Sequence, residues 1–156
     1  MATRVRPPEA RQLYEQDFYV WTQVQAGHLR ARRFDALDLD HLIEEVEDLG
    51  DVKKSAVLSN ASVVMEHLLK LQFSPAQYPR VGWAESVVAH RTKIEIDLTP
   101  RLRQILAEEL SRIYAITRRS TARKLRLHGE DAAADALPVT CPYRVEQVVE
   151  DWWPQD

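Results

Sequence analysis

The stretch from Leu37 to Phe73, LDLDHLIEEVEDLGDVKKSAVLSNASVVMEHLLKLQF, constrains the fold more than any other part of the chain. Beyond the opening Leu37-Asp38-Leu39-Asp40 its apolar residues recur mainly at intervals of three and four, which is the period of a helix and not of a strand. In the first half Leu39, Leu42, Ile43, Val46 and Leu49 keep that spacing, while Asp40, Glu44, Glu45, Glu47 and Asp48 fill the positions between them. One face is expected to be core and the remainder acidic. Asp38 is placed to cap the free backbone donors of the first turn, with Leu37 and Leu42 as a hydrophobic staple. Gly50 is the natural stop, because glycine accepts the left-handed conformation that closes a helix, and Asp51 then caps a second one. A continuous helix kinked at Gly50 is the alternative. In the second half Val57, Ala61, Val64, Leu68 and Leu71 form one stripe, with Leu58, Met65, Leu69 and Gln72 beside it, so this segment is expected to be buried on two sides. Asn60 and His67 fall at the edge of the stripe, where a polar group is half sheltered and still reaches a partner.

The same period continues along the chain. Residues 1–12, with Pro7-Pro8, read as a flexible N-terminal arm. A first helix starting near Tyr14 or Asp17 is marked by Tyr14, Phe18, Trp21 and Leu29, and closes on the basic run Arg30, Arg32, Arg33. SPAQYPRVG, with two prolines and a glycine, is a loop. A helix from Trp83 carries Trp83, Val87, His90 and Ile94 in one line. Thr99 caps another with Pro100 at its first position, whose core stripe, Leu102 to Thr117, weakens before the basic stretch Arg118 to Arg126 and a stop at Gly129. EDAAADALPV is a short helix or link. Cys141-Pro142 opens a last helix, and Trp152 and Trp153 are expected to dock on the body of the domain, since a free tail would leave a large apolar area in water. These segments define an all-α fold, a single-domain helical bundle of five or six helices over residues 13–156.

Bulk properties narrow the function classes. A chain of 156 residues buries a substantial core without metal or disulfide staples. Its one cysteine, Cys141, excludes an intramolecular disulfide and a multi-thiolate zinc site, and suits a reducing compartment. The first residues have no signal-peptide core, and no later apolar run is long enough to span a bilayer, so a cytoplasmic location and no membrane are expected. The formal charge of −3 argues against general nucleic-acid binding.

The landmarks LYEQDFYVW, FDALDLDHLIEEVEDLG, HLLKLQF, Trp83 followed by a helix, and CPYRVEQVVEDWWP together resemble the bacterial family called domain of unknown function 29. The resemblance runs from Leu13 to Pro154. His41 stands where the pattern has an asparagine-like residue, and Val81-Gly82 where a serine is usual. Membership implies a compact helical domain and brings no activity, substrate or cofactor.

Two readings of function remain. One is a polar seam built from His67, Asn60, Glu44, Glu45 and His90, which in a metal-dependent enzyme would hold a divalent ion with help from Glu47 or His41. The Glu-x-x-His signature of bundle metal sites is absent, and adjacent Glu66 and His67 diverge by about 100°. Cys141 at a helix start invites nucleophilic chemistry, but no histidine accompanies it. The other reading is binding. Asp35 to Asp51 contains no lysine or arginine, and Arg118 to Arg126 contains no acid, a separation that serves intramolecular pairing, a homo-oligomer or a protein partner. The expected function is a cytoplasmic interaction or regulatory module without a cofactor.

Overall fold

The computed structural model describes residues 7–155 and is all-α: α1 (Pro7–Gln16), α2 (Phe18–Arg30), a single 3-10 turn (Phe34–Ala36), α3 (Leu39–Phe73), α4 (Arg80–Asp97), α5 (Pro100–Leu127), α6 (Asp131–Ala136) and α7 (Val145–Val149). Of the arm expected over residues 1–12, residues 1–6 lie outside the described residues and the remainder opens α1. Among the described residues there are seven helices where five or six are expected, α6 and α7 being short pieces between irregular segments.

The helix boundaries follow local chemistry. Asp17 accepts a hydrogen bond from Val20 N at 3.0 Å and separates α1 from α2. Thr99 Oγ1 accepts from Leu102 N at 3.2 Å, with Pro100 opening α5 as its spacing predicts. At Gly129 the backbone turns left-handed, with φ of 76°, and Glu130 N–H closes back on the Leu125 carbonyl at 2.9 Å. Arg32, with φ of 53°, closes α2 in the same way.

Gly50 does not end a helix. α3 runs unbroken for 35 residues, and Gly50 lacks the positive φ of a stop. The glycine signal is permissive: a residue that tolerates the left-handed conformation also tolerates the helical one, at about 1 kcal/mol relative to alanine.

The chain falls into two compact units, Met1–Val52 and Lys53–Asp156. The second holds the contiguous core, with Val57, Ala61, Val64, Met65, Leu68 and Leu69 of α3 against Val87 and Ile94 of α4, and Leu106, Leu110, Ile113, Tyr114 and Leu125 of α5. The expected α4 line is buried at Val87 and Ile94 and half-buried at Trp83 and His90. The α5 stripe does not fade at Thr117. Thr121, Ala122 and Leu125 continue it, and small or hydroxylated residues hid the continuation because Thr121 satisfies its hydroxyl on the Thr117 carbonyl at 2.8 Å.

The C-terminal segment docks on this core as the two tryptophans predict. Trp152 and Trp153 are half-buried against it, and Arg91 donates to three backbone carbonyls there, Val148 at 3.1 Å and Gln147 and Trp152 at 2.7 Å. Burial pushes the Arg91 guanidinium below its ordinary range, against the opposing charge of Asp151. The last helix starts at Val145 rather than at Pro142, because the Arg144 N–H is taken by Gln147 Oε1 at 2.9 Å.

Candidate functional site

In the first unit three elements meet on one side of α3. α2 presents Trp21, Gln25 and His28 as a buried line spaced four and three residues apart. Asp38, just before α3, gives its N–H to Gln25 Oε1 at 2.9 Å and accepts on Oδ2 from Trp21 Nε1 at 3.2 Å. His41 lies 2.7 Å from the same oxygen through Nδ1, so that nitrogen carries the proton. The Asp38 carboxylate therefore ties α2 to α3, where the sequence predicts a backbone cap. Tyr14 of α1 stacks on the His41 ring, with centroids 3.9 Å apart and planes 14° apart, and donates its hydroxyl to Glu45 at 2.5 Å. That bond, then burial and the charges of Glu45, Glu44 and Asp48, push the phenol up to about 12, so it remains a donor across the neutral range. His28 is 7 % exposed, and among the described residues neither of its ring nitrogens has a hydrogen-bond partner.

Asp38, His41, Leu42 and Glu45 occupy the face of α3 turned to α1 and α2. Projection at about 100° per residue puts Leu39, Ile43 and Val46 roughly a third of a turn away, and Asp40, Glu44, Glu47, Asp48 and Asp51 about another third beyond them. The second face is open. Leu39, Ile43 and Val46 are 53–61 % exposed, and Leu49, at the rim of the first face, is 70 % exposed, whereas the periodicity predicts a core stripe. A spacing of three and four reports that a helix has an apolar face, and does not report whether anything in the same chain covers it. Beside the stripe, Leu42, Val46 and Leu49 face Phe18, Trp21, Ala26 and Leu29 across a trough of about 410 Å³. Among the described residues none of Asp40, Glu44, Glu47, Asp48 or Asp51 forms an ion pair.

The residues expected to form a polar seam separate between the units. Glu44 and Glu45 belong to the first; Asn60, His67 and His90 belong to the second. Asn60 gives its amide to the Ala56 carbonyl of its own helix at 2.7 Å. His67 Nδ1 meets the Val63 carbonyl at 3.1 Å, and His90 Nδ1 the Ser86 carbonyl at 2.8 Å, so both histidines carry a proton on Nδ1. Burial, then the charge of Lys70 and more weakly that of His90, hold His67 below the ordinary histidine range. Glu66 beside it binds Lys70 at 2.7 Å and Lys124 at 2.8 Å; burial pushes its carboxyl up, the two ammonium groups outweigh it, and the net position is lowered. Lys70 also lies 5.9 Å from the Trp83 ring centroid. Among the described residues no group of three or more His, Cys, Asp or Glu side chains is placed to hold a metal ion.

Cys141 is half-buried and bonded to the Tyr143 carbonyl at 3.5 Å, and burial pushes its thiol up. The lowered pKa that a helix start would supply is not found, because α7 begins four residues later. The basic end of α5 is mostly committed within the second unit: Arg118 to the Leu137 carbonyl, Lys124 to Glu66 and Arg126 to Asp135.

Sequence reasoning missed Tyr14, Trp21 and Gln25 as partners of the acidic helix. The one available signal was the spacing of Asp38 and His41, which places both on one face; the cap explanation of Asp38 hid it. All of these residues, and the α3 stripe, lie inside residues 13–153, which match the family model described as Domain of unknown function DUF29. The chain belongs to the DUF29 family. No curated protein and no solved structure matches it. The DUF29 match spans both units.

Proposed function

We propose that this DUF29 chain is a protein-interaction module, and that its docking surface is the open α2–α3 face of the first unit. The observation that carries the reading is the exposure of Leu39, Ile43 and Val46 at helical spacing, beside an apolar trough that Leu49 also lines. Scattered surface leucines are ordinary; a contiguous apolar stripe next to a concavity marks an interaction site. The trough is walled by two helices, and Asp38, His41, Tyr14 and Glu45 hold the packing side of α3 in place. An amphipathic helix of another protein suits this shape, laying anchors spaced three and four residues apart along the stripe.

Val46→Asp and Ile43→Asp test the proposal. Each changes a side chain more than half exposed, so folding stability should stay within about 0.5 kcal/mol of the parent in urea denaturation. Titration of the isotope-labelled chain with an amphipathic helical peptide should shift amide signals of Phe18, Leu42, Val46 and Leu49, and either substitution should abolish the shifts. A large loss of stability in both variants would show that the stripe is core, and would overturn the proposal.

A further inference from the structure

We infer that the segment docking on α3 is a cationic amphipathic helix, one with apolar anchors for the stripe and lysine or arginine along its edge. This rests on the open face being a docking surface, and it adds the chemistry of the occupant. The argument is the order of faces around α3. The acidic face borders the apolar one directly, with Asp40 and Glu47 next to Ile43 and with Glu44 and Asp51 behind them. It extends over twelve residues, Asp40 to Asp51, about 16 Å along the helix axis, and no lysine or arginine interrupts it between Asp35 and Asp51. Of the first unit's cations, those whose side chains are described, Arg30, Arg32 and Arg33, gather at the end of α2 and its following turn.

A helix seated on the stripe brings its own flanking positions alongside Asp40, Glu44 and Glu47. Lysine and arginine lay their stems over apolar surface and deliver charge at the tip, so they contact both faces at once. Other occupants fare worse. A second copy docking stripe to stripe would set five unpaired carboxylates against five more, and a phosphate backbone or an anionic bilayer would meet the same repulsion. A neutral helix would bury the stripe but leave the carboxylates without countercharge.

Two synthetic helices with identical leucine faces, one with lysine and one with glutamate at the polar positions, decide the matter when titrated against the full chain by fluorescence anisotropy. The lysine helix should bind at least about tenfold more tightly, and raising salt from about 0.05 M to about 0.5 M should erase most of that advantage. Combining Asp40→Asn, Glu44→Gln and Glu47→Gln should remove the preference and leave the glutamate helix no weaker. Val46→Asp should abolish binding of both. Equal affinity for the two helices would overturn the cationic occupant while leaving the docking surface intact. No binding of either would overturn the docking surface itself, as would lysine-helix binding that survives Val46→Asp. Dimerisation in sedimentation, or binding to anionic vesicles, if lost in Val46→Asp, would replace the inferred occupant by a second copy or a membrane.

Discussion

Replacing Arg91 with methionine keeps most of the side-chain stem and removes the guanidinium that holds the C-terminal segment. Arg91 is 8 % exposed and supplies three hydrogen bonds to the backbone carbonyls of Gln147, Val148 and Trp152, with its charge 5.2 Å from the Trp153 ring centroid. Hydrogen bonds from a charged donor each contribute about 1.5–3 kcal/mol, and the three acceptors would be left without a donor. Releasing a cation from a buried site offsets part of this, since burial already works against the charge of Arg91. At the lower end of the range the net loss is about 4 kcal/mol, a large share of the roughly 5–15 kcal/mol that stabilises a typical domain. Urea denaturation followed by tryptophan fluorescence measures the loss, and amide exchange over Val145–Val149 and Trp152–Trp153 localises it. Arg91→Lys retains the charge as a single point donor in place of the planar fork, so it should recover less than half. A loss below about 1 kcal/mol, with those amides still protected, would show that water satisfies the carbonyls and that the segment is held by apolar packing alone.

Gly50→Ala should stabilise the chain by about 0.5–1 kcal/mol, because a helical glycine costs backbone entropy and a Cβ there meets nothing within 4 Å; destabilisation in urea would mean that α3 is broken at Gly50. Glu66 has a folded-state pKa below its unfolded value, so its contribution is fully present above about pH 4.5 and is lost as pH falls through the folded value. Glu66→Gln should therefore be less stable than the parent at neutral pH, and the gap should close on acidification; a gap independent of pH between 7 and about 3 would refute the role assigned to Lys70 and Lys124.

The candidate surface shows where local pattern stops being informative. Leu39, Ile43 and Val46 have the same spacing as Val57, Ala61 and Val64, yet the first group is exposed and the second fully buried. The spacing alone does not distinguish them, since what covers a helix face comes from elsewhere in the chain. Arg91 reads as a surface charge in its own helix and becomes a clamp through carbonyls 56 to 61 residues away. Tyr14 finds Glu45 from 31 positions off, and Ser62 finds Thr117 from 55.

The order of residues by itself determined the all-α class, the caps at Thr99 and Gly129, the buried lines of α4 and the second half of α3, and the docking of Trp152 and Trp153. These follow from backbone capping and apolar period, which act within one or two helical turns. Only the tertiary structure decided that α3 passes through Gly50, that the Asp38 carboxylate binds Trp21 and His41, and that the stripe of Leu39, Ile43 and Val46 faces solvent. Each of those depends on which distant segment of the chain arrives, or fails to arrive, to satisfy a polar atom or cover an apolar side chain.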